Sequence, residues 1–230
     1  LRYGYVPDPL SILENIHKLG PGEILKYDVN KKIKINKYWD TYSEFLKIRE
    51  NPFKGTYNNA KEEITCKIKT ATKTRLASDA PIGAFLSGGI DSSNLVLSLK
   101  GQGIDIDTFS IGFKDENKNE ADYANEVAKE LNTNHNEKIL DNKDCLSIIP
   151  DVVKYFDEPF SDPSQIPTFL LSRFARKKIK VAISGDGGDE LFGGYPRYIN
   201  ISKLWKKLDR SPKFLQRKIA VFPYIFSNSN

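Results

Sequence analysis

The chain has 230 residues, enough for one large domain or two small ones with a sizeable core. Lysine and arginine number 35 against 30 acidic residues, and the net charge of +5 is spread along the chain, which argues against a nucleic-acid surface. No apolar run approaches the roughly 18 residues of a membrane span and no basic-then-apolar leader opens the sequence, so neither a membrane nor a secretory protein is indicated and a cytoplasmic location is expected.

In chain order, "GEILKYDV" and "KIKINKYW" alternate polar and apolar residues around a turn at Val29 to Lys32, which predicts a small hairpin. From Asn58 to Leu76 the period changes. Ala60, Ile64, Ile68, Ala71 and Arg75 recur three or four apart, the spacing of one helix face. After Pro81, "IGAFL" is a short apolar run closed by glycines, as a buried strand is. The pattern then repeats: "SSNLVLSLKGQ" predicts a helix, "DIDTFSIGF" a strand, "EADYANEVAKEL" a helix and "NEKIL" a strand. "SQIPTFLLSRFARKK" predicts a helix with Pro167 near its start, "IKVAISG" a strand, and "DELFGGY" a further polar-to-helical turn. A basic, apolar-periodic stretch runs from Ile201 to Phe222. Strands alternating with helices imply parallel pairing through crossovers, hence an α/β fold with a doubly wound parallel sheet and helices on both faces.

The segment "LSGGIDSS", from Leu86 to Ser93, lies where the first of these strands ends, and ligands of open parallel sheets collect at such ends. Gly88 and Gly89 let backbone amides approach an anion closely, Ser87, Ser92 and Ser93 add hydroxyl donors, and the following helix offers its positive end. The segment lacks the lysine of a Walker loop and the spacing of the dinucleotide fingerprint. Asp91 would repel a phosphate unless a cation stood between them, which makes it a candidate magnesium ligand. The alternative is that Gly, Ser and Asp serve only as turn and cap residues. A second turn, "ISGDGGDELFGGY", again ends an apolar strand on glycines and carries Asp186, Asp189 and Glu190.

S-G-G-x-D-S is the phosphate-loop signature of the N-type ATP pyrophosphatases. Together, "RLASDAPIGAFLSGGIDSS" and "SGDGGDELFGGYPRY" resemble the synthetase domain of the glutamine-dependent asparagine synthetases. "FSIGF", "EADYANEVAKELNTNHNE", "DEPFSDPSQIPTFLLSRFARKK" and "YGYVPDPLSILENIHKLGPGEILKYD" extend the resemblance to about Tyr198. It implies an adenine nucleotide alpha hydrolase-like fold and ATP-dependent amidation of L-aspartate to L-asparagine through β-aspartyl-AMP, with AMP and pyrophosphate released. The implied cofactors are ATP and Mg2+. The implied roles are pyrophosphate binding by Ser87 to Ser93, magnesium binding by Asp91 and Asp189, and framing of the adenosine by Leu86, Ile111, Ser184 and Gly185. Asp186 stands where many members carry a glutamate linked to intermediate formation or to deprotonating ammonia; its shorter side chain changes the reach of that charge. Two relatives stay open as alternatives, a pyrophosphatase that amidates another carboxylate (β-lactam- or sugar-amide-forming) and a non-catalytic nucleotide-binding domain.

Under this resemblance residues 1–57 are a lead-in from a glutaminase domain, 58–200 the ATP-pyrophosphatase domain, and 201–230 the start of a helical C-terminal part. The sequence contains no methionine, and its opening "LRYGYVPDPLSI" reads as mid-protein, so a fragment of a longer polypeptide is expected, inactive by itself if parts of the synthetase domain lie beyond it. Expected partners are aspartate, ATP, ammonia and the glutaminase domain of the same polypeptide, with a homodimer left open. Neither Cys66 nor Cys145 has a partner at metal-ligand spacing, and both read as ordinary thiols of a reducing compartment. Ser164 and Pro167 fit a helix N-cap with proline in the first turn, and equally the family segment near the amino-acid substrate. Arg173, Arg176, Lys177 and Lys178 read as a solvated helix face. Asp157 and Glu158 read as loop structure beside a proline turn, and His17 and His135 are given no catalytic role.

Overall fold

The structure, a computed structural model, describes residues 3–30, 32–114, 119–210 and 212–213. The chain divides into two compact units, Leu1–Ser184 and Gly185–Asn230. The first opens with a loop and the expected hairpin: β1 (Glu23–Tyr27) pairs antiparallel with β2 (Ile33–Lys37), Leu25 opposite Ile35. The hairpin turn was expected over Val29 to Lys32, of which residue 31 lies outside the described residues. Two helices follow, α1 (Thr41–Glu50), capped by the Asp40 carboxylate on the Ser43 amide, and α2 (Tyr57–Thr74), opened by a capping box of Thr56 and Asn59.

The ridge that α2 turns inward differs from the apolar face predicted for it. Thr72 is buried and Ile68 half-buried, whereas Ala71 and Arg75 are exposed. The reason is hydrogen bonding. Thr72 Oγ1 donates within α2, lies 3.1 Å from Ser98 Oγ, and accepts from Gln102 Nε2 at 3.1 Å. A satisfied hydroxyl is buried at little cost, so a polar residue holds the contact with the next helix.

That helix, α3 (Ile90–Lys100), connects β3 (Ile82–Phe85) to β4 (Asp107–Phe113), and α4 (Glu120–Glu130) connects β4 to β5 (Asn134–Leu140). Two helices, α5 (Asn142–Tyr155) and α6 (Gln165–Ala175), then lead to β6 (Val181–Ile183). α1 and α5 are additions to the elements legible in the sequence. Pro150 sits inside α5 and interrupts its helical signature, yet a capping box of Asp141 and Asp144 starts the helix and Ile148 buries it. All four strands are parallel, in the order β5-β4-β3-β6.

Alternation along the strands sends helices to both faces. Ala84 and Leu86 face α3 and α4, joining Val96, Leu99, Ala124 and Ala128 in one buried cluster. Phe85 and Phe109 face the other way, toward Leu171, Phe174 and Ala175 of α6. Further along β4, Ile111 and Phe113 meet Ile166, Phe169 and Leu170 at the start of α6, with Ile148 of α5. α6 therefore runs antiparallel to β4 and begins at the carboxyl edge of the sheet. Chain order moves outward from β3 to β5 and then returns to the far side of β3, so the order reverses between β3 and β6.

The second unit contains α7 (Gly188–Phe192) and α8 (Pro196–Asp209), the latter with proline at its start. The apolar-periodic stretch from Ile201 to Phe222 is helical as far as Asp209, and its residues 211 and 214–222 lie outside the described residues. Among the described residues no helix is long and apolar enough to cross a membrane. Cys66 and Cys145 are free thiols, and the Cys145 thiol is pushed up by desolvation and then by the charges of Asp144 and Asp141.

His135, half-buried on β5, has Thr108 Oγ1 2.9 Å from Nδ1 and Ser110 Oγ 3.0 Å from Nε2. Burial holds it below its ordinary 6.5. A proton bound at low pH must enter this ring against that burial, so the stabilisation from the neutral ring is complete above about 6.5 and is lost as the pH falls through the depressed folded-state value. Urea titrations are expected to show this acid-side loss in the native protein and a reduced loss in His135→Gln. Phe109, 1% exposed at the centre of the sheet, is expected to cost about 3–5 kcal/mol on replacement by alanine in the same measurement.

Candidate functional site at the carboxyl end of the sheet

The Leu86 amide donates to Phe109 O at 2.9 Å, which carries the β3–β4 pairing one residue past the strand and fixes where the turn begins. The Leu86 side chain is 1% exposed within the core, so its main chain is what reaches the edge. Ser87 and Ser92 then knit the turn. The Ser87 amide donates to Ser92 Oγ at 3.2 Å, the two hydroxyl oxygens lie 3.0 Å apart, and Ser92 Oγ donates to Gly89 O at 3.2 Å. With the single Ser92 proton committed to Gly89, Ser87 is the donor of the hydroxyl pair. The Gly89 amide closes the ring on Ser87 Oγ at 3.3 Å.

Gly88 has φ +76°, and a Cβ there would lie 2.5 Å from Tyr123 Cβ and 2.7 Å from Ala124 N. The turn is therefore pressed against the backbone of α4 as well as twisted. Tyr123 and Ala124, which form this rear wall, carry no signature in the sequence that would mark them for the role.

Gly89 is the N-cap of α3 and supplies no side-chain hydrogen bond, so the first-turn amides receive no capping oxygen. Asp91 lies in that turn, half-buried, where a negative charge complements the helix's positive end. Ser93 donates its amide to Gly89 O at 3.0 Å, but its hydroxyl is buried and has no hydrogen-bond partner. Unpaired buried hydroxyls are rare in folded proteins. The turn therefore offers uncapped amides at the start of α3, beside a glycine held close to another backbone and a buried hydroxyl without a partner.

The other predicted residues fall as follows. Ile111 is half-buried on the α5 and α6 face, against Leu140, Ile148 and Leu170. Ser184 is half-buried directly after β6. In the second unit Gly185 O accepts the Gly188 amide at 3.2 Å, Asp186 is exposed, and Asp189 is half-buried in α7. Gly187 and Gly193, at φ +89° and +69°, are the caps of that short helix. Gly194, which the motif reading passed over, leaves room for the Asp189 carboxylate: a Cβ at 194 would lie 1.9 Å from Asp189 Oδ1. Tyr195 donates to Glu190 Oε1 at 2.8 Å, and this bond raises the phenol above its ordinary value.

Ser164 begins α6 without capping it by its side chain. Its amide donates to Asp162 Oδ1 at 2.8 Å, and bonds from Ser164 hold the Asp162 carboxyl below the usual range. Arg173, Arg176, Lys177 and Lys178 are exposed at the opposite end of α6, near the amino ends of the strands. Among the described residues no three His, Cys, Asp or Glu side chains gather into a metal cage.

A parallel sheet with helices on both faces and a Gly/Ser turn leaving the carboxyl end of β3, beside the point where strand order reverses, defines an open-sheet α/β protein. The chain belongs to the asparagine synthase family, which it matches over residues 63–227. It is 31% identical over 227 residues to asparagine synthetase (glutamine-hydrolyzing) 1 of Bacillus subtilis, covering 97% of this chain and 35% of that protein. Over 218 residues it is 37% identical to putative asparagine synthetase (glutamine-hydrolyzing) 2 of Methanocaldococcus jannaschii, covering 93% of this chain and 40% of that one. It thus spans well under half the length of these curated relatives. An NH3-dependent NAD synthetase structure from Campylobacter jejuni matches 58% of this chain and 60% of its own, with a TM-score of 0.39 and 23% identity.

Gly88→Ala is expected to destabilise the protein by more than the roughly 1–2 kcal/mol of a left-handed backbone alone, since the new methyl also strikes α4. Equilibrium unfolding in urea measures the loss.

Proposed function

We propose that the chain carries the nucleotide-activating part of a glutamine-dependent asparagine synthetase, which amidates L-aspartate at the expense of ATP. The observation that carries this reading is the Ser87–Ser93 turn, with its uncapped helix start and the orphaned Ser93 hydroxyl. The aspartate side-chain carboxylate attacks the α-phosphorus of ATP and the bond to the β-phosphate oxygen breaks, giving β-aspartyl-AMP and pyrophosphate. Ammonia then attacks the acyl carbon, gives up a proton, and AMP leaves as asparagine forms.

The chemistry needs charge neutralised on the departing pyrophosphate and two anions held together in orientation. The uncapped first-turn amides of α3 and the Ser93 hydroxyl would hold the pyrophosphate, joined by the Ser87 and Ser92 hydroxyls once their protons leave the internal bonds of the turn for the phosphate oxygens. Asp91 and Asp189 would hold magnesium, which supplies cationic stabilisation of the phosphate oxygens. The main chain at Leu86, with Ile111, Ser184 and Gly185, would frame the adenosine. Asp186 is assigned to intermediate formation or to receiving the ammonia proton. A glutaminase domain of the same polypeptide is the proposed ammonia source, and the reading implies a cytoplasmic enzyme.

The test is AMP and pyrophosphate release from Mg-ATP by the full-length protein, with L-aspartate and ammonium present or omitted. Aspartate-dependent AMP matched by asparagine is expected. Asp91→Asn is expected to lower that rate by about 100-fold or more, the scale of losing one preorganised electrostatic partner. Turnover without aspartate dependence overturns the choice of acceptor, and unaltered turnover in the variant overturns the role of Asp91.

A further inference from the structure

We infer that Lys18 is a positioning residue that holds the loop before α6, residues 157–164, at the acceptor side of the site; the inference rests on the reading just given for the Ser87–Ser93 turn. Lys18 Nζ donates to Val6 O at 2.7 Å and pairs with the Glu158 carboxylate. Both side chains are largely withdrawn from water, 30% and 21% exposed, so the pair is less screened than a surface ion pair. A second link runs alongside. The Ser161 amide donates to Gly4 O, and Gly4 adopts φ +76° with its Cβ position 3.3 Å from Ser161 Cβ. The lead-in folds back on itself to make this possible, with the Lys18 amide on Pro9 O at 2.9 Å.

The clamped loop is well placed to touch a ligand. It ends where α6 begins, and α6 begins at the carboxyl edge, because Phe174 meets Phe109 low on β4 while Ile166 and Leu170 meet Phe113 at its upper end. The Ser87–Ser93 turn leaves β3 at the same edge. α3 lies on one face of the sheet and α6 on the other, so the loop lies at the same edge as the phosphate turn but on the opposite face from the α3 helix. A carboxylate acceptor must lie beside the α-phosphate, and the loop is a wall that can approach it from that side. Inside the loop the bonding is local: Gln165 Nε2 donates to Phe160 O at 2.6 Å, and Asp162 accepts the Ser164 amide. The connections to Gly4 and Lys18 set its position against a separate part of the chain.

Lys18→Met keeps the aliphatic stem and removes the charge, and Lys18→Arg restores it. In the full-length protein, hydrogen exchange at the Ser161 amide is expected to rise about tenfold or more in Lys18→Met and to return toward the native rate in Lys18→Arg. The Ser87–Ser93 segment should be unchanged in both. This readout needs no turnover, so it stands if the acceptor proves not to be aspartate. In steady-state kinetics Lys18→Met is expected to raise KM for the acceptor several-fold with KM for ATP unchanged, and Lys18→Arg to recover it. Glu158→Gln, which retains a hydrogen-bonding side chain, should give the same split in milder form if Lys18→Met does not fold. Unchanged exchange at Ser161, or equal shifts in both KM values, overturns the inference. Failure of the unaltered protein to use aspartate overturns the reading of the site and leaves the exchange result to decide the clamp.

Discussion

The backbone of α4 passes directly behind Gly88, close enough that a single methyl group would collide with Tyr123 and Ala124. This contact leaves no room for a side chain at Gly88, whose backbone is left-handed. It also ties the turn to a helix on the same face of the sheet as α3, so the strand end, the start of α3 and the middle of α4 form one rigid corner. The hydroxyl ring of Ser87 and Ser92 stiffens that corner from within.

The opposite face is organised around aromatic and aliphatic bulk. Phe109 and Phe174 meet edge to face at 5.9 Å, and Tyr155 and Phe169 lie 5.1 Å apart where α5 and α6 converge. This packing orients α6, and the loop that precedes it is tied back to the N-terminal lead-in. The carboxyl edge is thus bounded on one face by a hydrogen-bonded turn and on the other by a loop held through an ion pair and a main-chain bond. The second acidic turn obeys a similar logic inside its own unit, where the absence of a side chain at Gly194 makes room for Asp189.

Much of this was legible in the sequence because strand and helix periods are written in apolar residues. The four parallel strands, the hairpin, and α2, α3, α4 and α6 all follow from such patterns. What stayed hidden was written in other terms. Thr72 does the work of an apolar ridge residue because its hydroxyl finds partners across 26 residues of chain. α5 contains a proline that a local reading takes as a break, and its stability comes from a cap and tertiary burial. At the site, the glycines and hydroxyls mark the turn itself in the sequence, whereas nothing there marks the rear wall at Tyr123. Glu158 looks like an ordinary loop carboxylate, since its partner at Lys18 is set by tertiary folding alone.

The alternation along β4 divides its residues into two kinds of constraint. Phe109, Ile111 and Phe113 supply volume to the α5 and α6 face, where another apolar side chain of similar size can be repacked. Thr108, Ser110 and Gly112 face the other way. The first two hold the ring of His135, and the third leaves space for Asn119, whose amide group bonds the Phe113 main chain at the start of α4. Here neither size nor polarity can drift independently. Substitution along this one strand therefore meets two rules, a tolerant one at Phe109, Ile111 and Phe113 and a strict one at Thr108, Ser110 and Gly112, and the strict side faces the helix that backs the Ser87–Ser93 turn.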